Sequence, residues 1–261
     1  EQRTGYQMNA IYSAVYKLGI FISLAVQAFR YAAEPFFFRE AKQKNSPATF
    51  AYIFHYYSLA MLIMALFISA FRYEIADFRA FGLLSSPLIP ENYWVGLDVV
   101  PILLFANVLL GAYLSLSIWF KLTKQVRYAV LFSGVGAALT LGINIPLIPV
   151  FGYYACAWAT LAAYSSMAVL CYFIGQRHYF IPYKMGRLLL YMFPFGLALW
   201  GIEQLHDGSA PLASETLIKL GIISGVLILI VLVERRFPLR RALPDFGTSK
   251  REDTDISESD F

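Results

Sequence analysis

Seven stretches of this chain are long and apolar enough to cross a lipid bilayer, and nothing else in the sequence constrains its fold as strongly. They cover residues 11–38, 48–71, 93–120, 128–150, 153–175, 187–202 and 216–233. A helix needs about twenty apolar residues to traverse a hydrocarbon core of roughly 30 Å. Only helices and closed barrels satisfy every backbone polar group in lipid, and barrel strands are alternating segments of about ten residues. These runs are too long and do not alternate, so the expected fold is all-α, integral to the membrane, with about seven transmembrane helices. The composition agrees: 59% of the residues are hydrophobic and 15% are charged, against about 45–50% and about 25% in soluble domains.

The connections give an orientation. Arg39, Lys42 and Lys44 follow the first run, Lys121, Lys124 and Arg127 the third, and Arg177, Lys184 and Arg187 the fifth. Six basic residues from Arg235 to Arg251 follow the seventh. The intervening connections hold only Arg72 and Arg79, then none, then none. Cytoplasmic loops collect Lys and Arg, so the basic-rich side is expected to be cytoplasmic, with the C-terminus there. The first span then enters from outside. It does so at Glu1 with no export signal ahead of it, so the sequence is expected to be the C-terminal part of a longer protein.

Residues 1–10 read as an outer-side segment, 11–175 as five spans of a transporter lobe, 176–234 as two additional spans and 235–261 as a basic, then acidic, disordered cytoplasmic tail. The basic part of the tail is expected to meet anionic lipid. Net charge is +4, but the basic residues sit in short clusters between apolar runs, which points away from nucleic acid. Cys156 and Cys171 lie fifteen residues apart on one run, roughly 22 Å along a helix, too far to pair. No metal-ligand spacing, phosphate-binding glycine loop or hydrolase triad is present, so neither a cofactor nor an enzymatic activity is expected.

Charged and polar residues inside the spans are the functional candidates, because each is costly there. Lys17, Gln27, Arg30 and Glu34 all lie in the first span. Arg30 and Glu34 are four apart and share a face; a structural ion pair and a substrate role for Arg30 both fit. Asn107 and Asn144 read as inter-helix hydrogen-bonding groups, with substrate contact as the other reading for both. His55 and Asp98 read as interfacial, and Lys219 as snorkelling outward. Gly134, Ala138 and Gly142, like Gly221 and Gly225, recur at four-residue spacing and are expected to let helices approach closely.

Two strings carry a resemblance. Ala10-Ile-Tyr-Ser-Ala-Val-Tyr-Lys17 is followed by Gln27-Ala-Phe-Arg-Tyr-Ala-Ala-Glu-Pro-Phe-Phe-Phe38. Later, Ile145-Pro-Leu-Ile-Pro-Val-Phe-Gly-Tyr-Tyr-Ala-Cys-Ala-Trp-Ala-Thr160 reads as a proline-rich outer loop entering a helix. Both resemble the polysaccharide-transporter branch, the O-antigen or lipid-linked oligosaccharide flippases, of the multidrug/oligosaccharidyl-lipid/polysaccharide flippase superfamily. The likeness runs from Ile11 to about Gly175; the last two spans match in number and place. It implies spans 8–14 of a fourteen-span, two-lobe transporter of the inner membrane. An N-terminal lobe would precede this chain, and the substrate would be a lipid-linked pyrophosphate oligosaccharide, moved outward by alternating access. Lys17 occupies the place of a basic residue at the start of the eighth helix. Lys17, Arg30, Gln27 and Asn144 are the expected substrate contacts, with Arg30 and Glu34 also an expected ion pair. A drug or cation antiporter of the same superfamily, and a membrane-embedded polymerase or glycosyltransferase, are the alternatives.

Overall fold

The structure is a computed structural model that describes residues 5–43, 45–79, 87–205 and 212–237. Those residues are 88% helical and contain no strand, so the architecture is all-α. Among them are seven helices long and apolar enough to span a membrane. In chain order the elements are α1 (Gly5–Glu40), α2 (Ser46–Ala70), the short α3 (Arg72–Ala76), a 3₁₀ helix (Glu91–Val99), α4 (Val100–Leu116), α5 (Ile118–Leu122), α6 (Arg127–Phe151), α7 (Tyr153–His178), α8 (Met185–Leu205) and α9 (Leu212–Arg236). The 3₁₀ helix, α4 and α5 together form the third span, Glu91–Leu122.

Two boundaries differ from the sequence reading. α1 already begins at Gly5, so residues 5–10 are its first turns and not a separate outer segment. α6 runs through Pro146 and Pro149 to Phe151, and the expected outer loop shrinks to Gly152. Proline is tolerated in such helices because neighbouring groups re-satisfy the freed carbonyls. Gly152 then turns the chain at φ +56°, where it adopts a backbone that side chains rarely allow. α8 is likewise continuous through Pro194. Most of the tail, residues 238–261, and the first four residues lie outside the described residues.

α4 is the centre. It packs on α1, α2 and α7; α7 carries α6 on its far side, while α2 carries α8 and α9. Leu103, Leu104, Ala106 and Asn107 of α4 are buried against α1 and α2. Gly111 is what lets these helices close. A Cβ there would meet the Tyr57 hydroxyl and lie 3.0 Å from Val26 Cγ2. The Tyr57 ring cannot swing away, because it stacks on Phe29 at 3.7 Å between centroids. Gly111→Leu is therefore expected to destabilise the fold by about 1–3 kcal/mol through overpacking, read as a lower thermal midpoint in detergent.

The glycine rows do something other than expected. Added Cβ atoms at Gly134, Gly142, Gly221 and Gly225 would meet nothing within 4 Å. α6 instead packs through Phe132 and Gly136, where a Cβ would lie 2.6 Å from Met167 Sδ. α9 packs through Lys219, Ile223 and Ile230. Each row is rotated off the face its helix buries.

Candidate functional site

The sequence-predicted residues do not converge on one site. Lys17 and Arg30 are thirteen positions apart on one straight run of helix, about 20 Å along the axis. Asn144 lies on α6, which packs on α7.

Lys17 sits about 18 Å along α1 from Gly5 at 1.5 Å per residue. Val15, Leu18, Ile22 and Val26 form the buried face of that helix. Lys17 is exposed on the opposite face, with Ser13, Phe21, Leu24 and Tyr31. It has no hydrogen-bond or ion-pair partner among the described residues. Gln27 is half-buried, and its Oε1 is sealed from solvent without a hydrogen bond; Asn144 Oδ1 is in the same state. Asn144 thus makes no inter-helix hydrogen bond through that oxygen. Asn107 does join two helices: Ser23 Oγ of α1 donates to its Oδ1 at 2.9 Å, while its Nδ2 donates to the Leu103 carbonyl at 2.8 Å.

Arg30 and Glu34 are brought together, but a third residue makes the closer pair. Arg30 Nε stands 4.0 Å from Glu34 Oε1, and Lys121 Nζ of α5 donates directly to that same oxygen. Arg30 also lies over the Tyr31 ring at 5.2 Å. The three charges line a small pocket with Phe29, Leu114 and Ser115. Two cations face one carboxylate, so the pocket carries a net positive charge and can accept an anion through charge-assisted hydrogen bonds.

Two further polar clusters were not legible in the sequence, and both join α2–α3 to the last two spans. On the basic side, Glu234 of α9 gathers four donors. His55 Nε2 of α2 lies 2.9 Å from Oε1, the Tyr191 hydroxyl of α8 donates to it at 2.6 Å, and Arg187 Nη2 stands 3.1 Å away. The Tyr56 hydroxyl donates to Oε2 at 3.2 Å. His55 is 2% exposed, so it is buried between helices, beside the residues that open α8 and close α9. On the opposite side, Lys219 is 2% exposed and does not snorkel. Its Nζ donates to Glu74 of α3 at 2.8 Å and pairs with Glu215 at 2.8 Å. Beside it, Arg72 Nη2 donates to Glu203 of α8 at 2.6 Å. Lys219 lies two turns inside α9, too deep to reach water cheaply, and two carboxylates are at hand. Asp98 is exposed as expected and accepts from Tyr73 at 3.3 Å. Burial raises the pKa of the Tyr73 phenol, which keeps it a donor there.

These contacts sort the helix ends into two sets. The C-termini of α1, α5, α7 and α9 lie with the N-termini of α2 and α8, as the alternation of basic connections requires. Cys156 and Cys171 are free. Among the described residues no group of three or more His, Cys, Asp or Glu could hold a metal ion.

The fold and these clusters define a multi-pass membrane protein with seven membrane-spanning helices among the described residues. No protein-family model, curated protein or solved structure matches the chain.

Proposed function

We propose that this chain is one lobe and the last two spans of a membrane translocase. It carries a lipid-linked oligosaccharide from the cytoplasmic to the outer leaflet of the inner membrane by alternating access. The basic-rich side is the cytoplasmic one in this reading, and a second lobe docks on the uncovered face of α1.

One observation carries the reading: Lys17 lies within the span, exposed, on a helix face that none of the described residues covers. Arg30, Glu34, Lys219 and Glu234 are all paired. A bare cation facing lipid is costly, whereas one facing a wet cavity at a lobe seam is not. It can there meet a pyrophosphate head group, which cannot cross hydrocarbon unassisted, while the lipid tail stays in the bilayer. The pocket of Arg30 and Lys121 supplies positive charge about 20 Å further along the same helix. The paired state of Glu34 argues against the cation antiporter, which needs an available acid. The resemblance of the two strings points the same way.

The test is export by the full-length protein. Lys17→Ala is expected to reduce export about tenfold or more, the worth of one charged hydrogen bond, and Lys17→Arg to retain most of it. Undiminished export with Lys17→Ala overturns the assignment.

A further inference from the structure

The Glu234 cluster has an internal asymmetry that the proposed function does not use. Its α8–α9 half is self-sufficient: Arg187 and Tyr191 both engage Glu234. Arg187 also donates to the Val233 carbonyl at 3.0 Å and the Phe237 carbonyl at 2.7 Å. These bonds hold α8 and α9 to each other. The α2 half consists of His55 and Tyr56 alone. Whatever alters His55 therefore alters the docking of the α8–α9 hairpin on α2 and leaves the hairpin itself intact.

His55 is poised to be altered. Its Nε2–H donates to Glu234, and its Nδ1 is buried with no hydrogen-bond partner. Tyr56 on its own helix, Arg187 and Tyr191 on α8 and Glu234 on α9 are the titratable and charged groups facing it. Among the described residues no hydrogen bond, ion pair or ring contact joins its ring to α1, α3 or α4. With a neutral ring the charges of Arg187 and Glu234 cancel. A proton added at Nδ1 forms a second N–H bond, leaves a buried positive charge in excess and gives the new N–H no acceptor. A buried donor without an acceptor is costly. The cost disappears if the hairpin moves off and water reaches Nδ1. Solvent is close by, because Arg187 and Glu234 stand at the span ends and Arg187 bonds the carbonyl of the exposed Phe237.

The interface next to His55 is also incompletely filled. A small cavity between α2, α8 and α9 is lined by Leu62, Leu66, Phe195 and Val226, among others. At the far end the hairpin is held by Arg72–Glu203 and Lys219–Glu74, which contain no histidine.

The geometry points to His55 Nδ1 as a proton-binding site whose occupancy releases the basic-side end of the α8–α9 hairpin from α2, with the opposite-side ion pairs as the pivot. The proton comes from solvent on the basic side. This does not depend on what the chain carries.

The experiment is a distance measurement by paired spin labels on the full chain in nanodiscs. Labels go on Leu232→Cys of α9 and Phe173→Cys of α7, both exposed positions, with Cys156→Ala and Cys171→Ala. Between pH 8 and pH 5, the range that brackets an ordinary imidazole, a second distance is expected to grow about tenfold in population. His55→Gln keeps a donor for Glu234 and cannot take up the proton; its distribution is expected to stay at the pH 8 form throughout. The same growth in His55→Gln, or a distribution that ignores pH in the His55 protein, overturns the proposal. Should His55→Gln fail to fold, nitrogen-15 spectra of labelled histidine in a His178→Gln, His206→Gln background decide. Titration of His55 in step with the second distance supports release, and titration at a fixed distance refutes it.

Discussion

Glu234→Ala is expected to cost about 3–5 kcal/mol of stability, the loss seen when one partner of a buried ion pair is removed. Arg187 is 11% exposed and His55 2%, so neither can turn to water when the carboxylate goes. Tyr191 and Tyr56 lose their acceptor in the same step. Glu234→Gln keeps an acceptor oxygen while discarding the charge, and is expected to fall between alanine and the parent. Denaturant unfolding in mixed micelles reads both. A loss below about 1 kcal/mol for Glu234→Ala, the level of a surface pair, would mean that the cluster is not holding the hairpin.

The second large effect is expected at Lys219. Lys219→Met matches the shape of the aliphatic stem and removes the ammonium, leaving Glu74 and Glu215 facing each other without their shared cation. Glu215 is only 13% exposed, so its charge is poorly relieved by solvent. A loss of several kcal/mol follows from removing one partner of a buried ion pair. Adding Glu215→Gln to Lys219→Met is expected to restore a large part of it, since the like-charge facing of Glu74 and Glu215 is then gone. A double variant no more stable than the single one contradicts the pairing. Glu74 is the weaker half of the cluster, being more than a third exposed and screened accordingly.

The contrast between what was and was not legible follows from the range of the interactions. Seven spans could be read because each must satisfy its own backbone bonds within about twenty residues, so the signal is local. The Arg30–Glu34 approach was legible for the same reason, being one turn of one helix. Its closer partner Lys121 was not, because nothing in the first span says that the end of the third lies beside it. His55 and Glu234 are 179 positions apart, and Lys219 and Glu74 145. Read singly, His55 is a polar residue near a span end and Glu234 the first letter of a basic stretch. Only the docking of α8 and α9 on α2 makes them partners. The glycine rows misled in the opposite sense: small residues at four-residue spacing mark a face that can be approached closely, and among the described residues nothing approaches it. One signal of the Arg187–Glu234 pair is present in the sequence. Arg187 opens the sixth span and Glu234 closes the seventh, so an antiparallel pair places them at equal depth.

The single-residue turn at Gly152 bears on how the protein reaches the membrane. α6 and α7 are 25 and 26 residues long, each sufficient to cross a bilayer, yet their joint leaves no slack between them. The end of α6 and the start of α7 are thereby held at one depth. The two are expected to enter lipid as one folded-back unit, so that a charge placed mid-span in α6 alone would hinder insertion of both, as glycosylation tags after each span would report. Any lengthening of that joint would let them insert separately, and with it comes the chance of a reversed topology for everything downstream.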